Sequence, residues 1–127
     1  MTRDEFDVYC ATLKATTHVI QWGGASVWKV GGKIFAICSS WGPEDKRSHA
    51  DDASERISFK CSDLGYQILC ELEGIVPAPY LARAKWVQLQ RADALSDDDI
   101  KDYIADAHAI IAAKLTKKLQ RTLGLGG

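Results

Sequence analysis

The chain has 127 residues, of which 46% are hydrophobic and 26% are charged. This is the usage of one soluble globular domain, and it excludes a disordered or fibrous chain. Sixteen lysines and arginines stand against 17 aspartates and glutamates, for a formal net charge of −1. No overall positive field therefore draws the chain to nucleic acid or to an anionic membrane, and any such binding must use a local surface.

The amino-terminal third predicts a helix followed by a β-hairpin. Thr2 and Glu5 have the spacing of a capping box, which predicts a helix from residue 3. Residues 16–20 are rich in β-branched side chains and favour extended backbone. Two β-rich runs then flank Gly31-Gly32, and glycine accepts the positive φ that a tight hairpin turn requires. The two strands predicted for this hairpin are residues 25–30 and 33–41.

The remainder predicts further alternation of strands and helices. The predicted elements are a polar loop at 42–53, a strand at 55–61, a helix from Ser62 to Gly74, a strand at 85–89 and a helix from Ser96 onward. The strand at 55–61 alternates apolar and polar residues, which predicts that it is half-buried. Pro77 and Pro79 exclude helix or central strand around them. We expect an α+β domain at 1–122, in the order α-β-β-β-α-β-α, and a frayed tail at 123–127.

The cysteines and the amino terminus indicate a cytoplasmic protein. No signal-like apolar run begins the chain, and no stretch of about 18 apolar residues occurs in it. Each of the four cysteines stands where a small apolar residue is expected, and no C-x-x-C pair is present. We expect buried structural thiols and no membrane contact. These cysteines are Cys10, Cys38, Cys61 and Cys70.

Motifs that carry catalysis are missing from the sequence. There is no phosphate-binding glycine loop, no H-E-x-x-H and no G-x-S-x-G. His18, His49 and His108 are far apart, and none has a second ligand at helical spacing. The run 97–99 of three aspartates is better explained by helix capping than by a bound cation. We expect a protein that is not an enzyme and has neither a cofactor nor a metal.

The basic residues of the strand-bearing stretches are the most informative pattern. Residues 24–41, 56–60 and 83–91 contain seven basic residues and no acid. These are Lys29, Lys33, Arg56, Lys60, Arg83, Lys85 and Arg91. The four tryptophans, Trp22, Trp28, Trp41 and Trp86, lie within or beside the same stretches. A basic, aromatic surface can contact phosphates and bases, although core packing explains tryptophan and edge protection explains strand lysine equally well.

Three segments, in this order and spacing, resemble the MmcQ/YjbR family of small bacterial proteins. They are V-W-K-V-G-G-K-I-F-A at 27–36, I-S-F-K at 57–60 and P-x-x-Y-L-x-R-x-K-W at 77–86. The resemblance implies a CyaY-like fold, in which helices pack on one face of an antiparallel sheet, and a double-wing type of DNA binding. The chain departs from the family pattern at 21–23, where many members have a Pro-Phe-Gly-like turn, and at Tyr80, where many have histidine.

Three functional hypotheses follow from the residues and the resemblance. The first is DNA binding through a basic, aromatic sheet or hairpin face comprising Lys29, Lys33, Lys60, Arg83, Lys85 and Trp86. The alternative is a protein-interaction or small-ligand module that uses Trp22, Tyr80 and Trp86. The third, implied by the CyaY-like resemblance alone, is iron binding by Asp4, Glu5 and Asp7, which helix capping explains better. We expect a monomer.

Overall fold

The computed structural model of the chain describes residues 1–21, 24–39, 56–78, 82–91 and 94–125. These residues form an α+β fold with a six-stranded antiparallel sheet. The described helices are α1 (Arg3–Thr12), α2 (Asp63–Cys70), α3 (Asp97–Ala113) and α4 (Lys117–Thr122). The strands are β1 (Thr16–Gln21), β2 (Ala25–Val30), β3 (Lys33–Ser39), β4 (Arg56–Lys60), β5 (Ile75–Pro77) and β6 (Trp86–Leu89). A short 3-10 helix, Ala82–Ala84, precedes β6.

The helices begin where hydroxyl side chains cap them. The capping box predicted at Thr2 is complete, because the Thr2 hydroxyl accepts from the Glu5 amide and the Glu5 carboxylate accepts from the Thr2 amide. The Ser62 and Ser96 hydroxyls cap α2 and α3 by accepting from the Gly65 and Asp99 amides. These helix starts were predicted from the sequence and are confirmed.

The predicted hairpin is β2 and β3. Val30 lies opposite Lys33 across the turn, and both turn glycines have positive φ, +58° at Gly31 and +84° at Gly32. Glycine adopts this backbone conformation without the steric penalty that other residues pay. The hairpin prediction is confirmed for residues 25–39, and residues 40–55 lie outside the described part of the chain, including the predicted polar loop.

The sheet has the strand order β1-β2-β3-β4-β6-β5. Since neighbouring strands are antiparallel, the first residue of one strand lies beside the last residue of the next at each of the two ends of the sheet. One end, named here the hairpin end, is marked by Thr16, Val30, Lys33, Lys60 and Trp86. The opposite end, named the far end, is marked by Gln21, Ala25, Ser39, Arg56 and Leu89.

The described helices pack on one face of the sheet. Phe6 of α1, Leu69 of α2 and Ile104 of α3 share one buried cluster with strand residues that include Phe59. A smaller cluster of Ala25, Val27, Ile37, Ala78 and Trp86 lies on the second face and contains no helix residue. The fold class predicted from the sequence is therefore confirmed.

Strand β4 differs from its prediction. Every residue from Arg56 to Lys60 is buried, so the strand is covered on both faces and is not half-buried. The alternation correctly predicts that Ile57 and Phe59 face the helices. It cannot predict burial of the polar face, because alternation reports the character of a face and not its accessibility.

The observed element order adds two edge strands and a helix break to the predicted order. Residues 16–21 pair with β2, and Ile75–Pro77 pairs with β6. Proline is accepted in the latter because it is an edge strand. The last helix ends at Ala113 and a new one begins after Thr116, whose hydroxyl accepts from the Leu119 amide at 3.1 Å.

The last described residues pack against the rest of the fold. Leu125 packs partly buried against the main core, and its amide donates to the Gln120 carbonyl at 2.7 Å. Residues 126–127 lie outside the described part.

All four cysteines are reduced thiols, buried except for the half-buried Cys70. None of the helices in the described ranges combines the length and apolar character needed to cross a bilayer.

Candidate nucleic-acid interface

The seven strand-associated cations separate into two groups. Five of them lie at the hairpin end of the sheet: Lys29, Lys33, Lys60, Arg83 and Lys85. The other two lie at the far end, where Arg56 is opposite Ser39 and the Arg91 guanidinium approaches Gly74. Five of the seven strand-associated cations therefore lie at the hairpin end of the sheet, and two lie at the far end.

Helix termini add further cations to the hairpin end. Leu115, which follows α3, packs so closely on the hairpin turn that a Cβ on Gly31 would lie 2.5 Å from its Cδ1. This contact brings the exposed lysines after α3 to the strand lysines. Lys14, between α1 and β1, lies at the same end, with its Cε close to Gly124. We name as the basic end the residues Lys14, Lys29, Lys33, Arg83, Lys85, Lys114, Lys117 and Lys118.

Sequence reasoning missed the helical part of the basic end. Lys114, Lys117 and Lys118 lie at the carboxyl-terminal end of the last helix predicted from the sequence, where the helix dipole favours positive charge and so accounts for them. The sequence contains no signal for where that helix crosses the sheet. Only the contact between Gly31 and Leu115 places these lysines beside the hairpin.

Lys60 lies beneath the basic end and is not on its surface. Its side chain is 9% exposed, and Nζ donates to the Ala84 carbonyl oxygen. Burial lowers the pKa of the Lys60 ammonium, and the charge of Lys114 lowers it further, with a smaller effect of Lys85, while Asp63 opposes them. Lys60 thus lies close enough to Lys114 and Lys85 for their charges to act on its ammonium group.

Lys85 is held in a strained backbone conformation at the start of β6. Its φ is +66°, a region that costs a non-glycine residue about 1–2 kcal/mol. Its carbonyl accepts from the Cys61 amide at 2.9 Å, and its Nζ lies 5.0 Å from the centre of the Tyr66 ring. These contacts fix the direction of the Lys85 ammonium at the basic end.

The aromatic residues predicted for the interface are placed differently from the cations. Trp86 is 5% exposed and packs on the second face with Val27 and Ile37. Its indole ring is therefore covered and does not present a stacking surface. Trp22 and Tyr80, predicted for partner binding, lie outside the described residues.

Helices α1 and α3 begin toward the far end of the sheet, where Arg3 donates to the Gly24 carbonyl and the terminal amino group pairs with Asp97. Asp4 and Glu5 occupy the first turn of α1, and residues 97–99 the first turn of α3. Glu5 completes the capping box, and Asp97 pairs with the terminal amino group at 2.9 Å. The described residues contain no group of three or more potential ligands that could hold a metal. The first turns of α1 and α3 thus carry acid, whereas Asp63 at the start of α2 lies near Lys60 at the hairpin end.

A cluster of Asp7, His18, Ser26 and Trp28 joins α1 to β1 and β2. Asp7 Oδ1 accepts from Ser26 Oγ at 2.6 Å and from Trp28 Nε1 at 2.9 Å, and His18 Nε2 lies 2.7 Å from Ser26 Oγ. Because the single hydroxyl hydrogen of Ser26 goes to the carboxylate, His18 Nε2 must donate to Ser26 Oγ. The histidine cannot act as a base toward this serine, so the cluster fastens α1 to the sheet. Sequence reasoning did not find it.

These features define a small α+β domain with a basic surface at one end of an antiparallel sheet. The sequence matches the family model described as YjbR over residues 11–110, and the chain belongs to the YjbR family. None of the curated proteins matches the chain. The YjbR family is not known as a family of enzymes.

A solved structure supports the fold. The crystal structure of the Deinococcus radiodurans protein DR2400, which carries a DUF419 domain, is similar to this chain with a TM-score of 0.80 and 18% sequence identity. The similarity covers 98% of this chain and 89% of the other. At this identity the similarity shows a shared fold.

Proposed function

We propose that the protein binds DNA through the basic end, by contacts to backbone phosphates. The observation that carries this proposal is the convergence of lysines from the hairpin, from the start of β6 and from the end of α3. A chain whose net charge is −1 would otherwise repel a polyanion, so binding depends on this local concentration of charge.

The chemistry of the surface favours backbone contacts over base recognition. Lysine ammonium groups on flexible stems bind phosphate oxygens as point charges, and such contacts position a protein without reading sequence. The one predicted aromatic contact in the described part of the chain, Trp86, is covered. The proposal is therefore salt-dependent binding of moderate or low sequence preference.

The test is a titration of fluorescently labelled duplex DNA, followed by anisotropy at several salt concentrations. Lys33→Ala and Lys114→Ala should each weaken binding and reduce the slope of log K against log salt by about 0.9, because each removes one phosphate contact. The double variant should reduce the slope by about 1.8, since the two side chains contact different phosphates.

Lys101→Ala is the matched control. Lys101 is an exposed lysine near the start of α3, away from the basic end, with Nζ 5.8 Å from the centre of the Tyr9 ring. Its removal should leave the slope unchanged. The proposal fails if the wild-type protein does not bind duplex at low salt, or if Lys101→Ala weakens binding as much as Lys33→Ala does.

We also propose that binding occurs without catalysis. The cluster of Asp7, His18, Ser26 and Trp28 contains the residue types of a catalytic grouping. Its serine, Ser26, donates its hydroxyl hydrogen to Asp7 and is fully buried. A nucleophilic serine needs an accepting base and access to substrate. Incubation with duplex DNA under binding conditions should leave the strands intact on a denaturing gel, and cleavage would contradict this part of the proposal.

A further inference from the structure

A small cavity lies between the start of α2 and the second half of α3. Its volume is about 280 Å³. Cavities that bind drug-sized ligands have volumes of about 300–1,000 Å³, so this one suits a smaller molecule. One wall is formed by the chain that leaves β4 and begins α2, and the other by one side of α3. The lining residues are Lys60, Cys61, Ser62 and Gly65 on the first wall and Tyr103, Asp106, Ala109 and Ile110 on the second.

Lys60 supplies a buried positive charge to this cavity. The residue is 9% exposed, and its ammonium group has three N–H donors, one of which goes to the Ala84 carbonyl oxygen. No other residue within the described ranges accepts a hydrogen bond from Lys60 Nζ. Because buried donors without acceptors are costly, the two remaining N–H groups favour an anionic group in the cavity.

Further hydrogen-bond donors line the same cavity. Helix α2 begins there, and its first turn carries the positive end of the helix dipole. The Ser62 hydroxyl accepts from the Gly65 amide, which leaves the hydroxyl hydrogen for donation. The Tyr103 ring stacks on Phe59, and its hydroxyl has no hydrogen-bond partner in the part of the chain that the structure describes. Together with Lys60, these donors suit a carboxylate group.

Asp106 supplies a negative charge to the cavity. It is exposed, and its carboxylate forms no ion pair with the residues that the structure describes. Burial has the largest effect in raising the pKa of the Cys61 thiol, and of its charged neighbours Lys60 lowers this pKa while Asp106 raises it. Lys60 and Asp106 therefore both lie near Cys61, yet they do not pair with each other. A ligand that carries one cation and one anion can pair with both.

We propose that this cavity binds a free α-amino acid. The carboxylate of the ligand accepts from the Lys60 ammonium group and from the donors at the start of α2, and the amino group of the ligand donates to Asp106. Ala109 and Ile110 form the apolar part of the wall, so the side chain of the ligand is small or aliphatic. Simple anions such as phosphate are disfavoured, because they bring no cation to offset Asp106.

This inference goes beyond the proposed function and does not depend on it. DNA binding uses the exposed lysines of the basic end, whereas the amino acid is held by Lys60 and by residues of α2 and α3. Lys33→Ala, which should weaken DNA binding, should leave the affinity for the amino acid unchanged. Because amino-acid binding is measured without DNA, either proposal can fail while the other holds.

Nuclear magnetic resonance titration of the isotope-labelled protein tests the proposal. The probes are glycine and L-alanine, L-valine, L-leucine and L-isoleucine, each added to about 10 mM, which detects dissociation constants in the millimolar range. A ligand in the cavity should shift the amide signals of Gly65 and Ala109 and leave that of Gly32, at the hairpin turn, unchanged. The absence of a shift with all of these amino acids would overturn the proposal.

Analogues of the tightest-binding amino acid test the recognition of each charge. One analogue lacks the amino group and the other lacks the carboxylate; for valine these are isovalerate and isobutylamine. Both should bind at least about 10-fold more weakly than the amino acid, because each leaves one charged group of the cavity without its partner. Equal affinity for the amino acid and the analogue without an amino group would contradict the proposal. So would binding of inorganic phosphate without binding of any amino acid.

Asp106→Asn and Asp102→Asn are a matched pair of variants. Both aspartates are exposed on α3, but only Asp106 lines the cavity. Asp106→Asn should weaken binding of the amino acid at least about 10-fold and leave binding of the analogue without an amino group unchanged. Asp102→Asn should bind the amino acid as the wild-type protein does. Equal weakening by the two variants would refute the proposal, since general surface charge would then explain the binding.

Discussion

The contact between Gly31 and Leu115 can be tested by comparing two neighbouring glycines. Gly31 and Gly32 both have positive φ, so alanine at either position pays a backbone penalty of about 1–2 kcal/mol. Their surroundings differ, because a Cβ on Gly31 would lie 2.5 Å from Leu115 Cδ1, whereas a Cβ on Gly32 meets nothing within 4 Å. Leu115 is itself buried and must move.

Gly31→Ala should therefore reduce the free energy of unfolding more than Gly32→Ala does. Forcing Leu115 to shift adds about 1–3 kcal/mol, the usual cost of overpacking, to the backbone penalty at Gly31. We expect a total loss of about 2–5 kcal/mol for Gly31→Ala and about 1–2 kcal/mol for Gly32→Ala. The measurement is urea denaturation followed by circular dichroism.

A double-mutant cycle with Leu115→Ala isolates the contact. In the Leu115→Ala background the clash is absent, so Gly31→Ala should cost no more than its backbone penalty, and the two substitutions should be non-additive. Equal losses for Gly31→Ala and Gly32→Ala would refute the reasoning. So would a loss for Gly31→Ala that Leu115→Ala does not reduce, and the position of the helical lysines at the basic end would then need another explanation.

Two further predictions concern Asp7 and Cys61. Asp7→Ala should lower the free energy of unfolding by about 1–3 kcal/mol, because the Ser26 hydroxyl and the Trp28 indole then lose their carboxylate acceptor. Asp4→Ala, in the exposed first turn of α1, should lower it less in the same urea titration. Burial raises the pKa of the Cys61 thiol from 9.0 to about 12, so the folded state keeps a proton that the unfolded state loses. The free energy of unfolding of the wild-type protein should therefore fall, relative to that of Cys61→Ala, by about 1.4 kcal/mol per pH unit between pH 9 and about 12. Free energies of unfolding that change with pH equally in the two proteins would contradict this.

Local sequence determined the elements and much of their orientation. The hydroxyls at Thr2, Ser62 and Ser96 cap helices because capping depends on atoms within one turn. The turn at Gly31 and Gly32 is also local, because glycine has no Cβ and adopts the positive φ that the turn requires. Alternation in β4 correctly assigned its apolar residues to the helix face, since that assignment follows from the period of a strand.

Long-range contacts determined the candidate site. The positive charge of Lys60 and the indole of Trp86 were predicted for a surface, yet both are buried, because strand order decides what covers a strand. Lys33 and Arg56 lie at opposite ends of the sheet. This placement also depends on pairing between strands that are distant in sequence. No local pattern contains that information.

The sequence by itself determined an α+β domain with capped helices, a glycine hairpin and strands that carry basic residues. Only the tertiary structure decided that these residues join Lys114 and its neighbours at one end, and that β1 lies at an edge of the sheet formed by the described strands. The physical reason is that propensity and capping act within a few residues, whereas the meeting of charges and the position of a strand in the sheet depend on how distant segments pack.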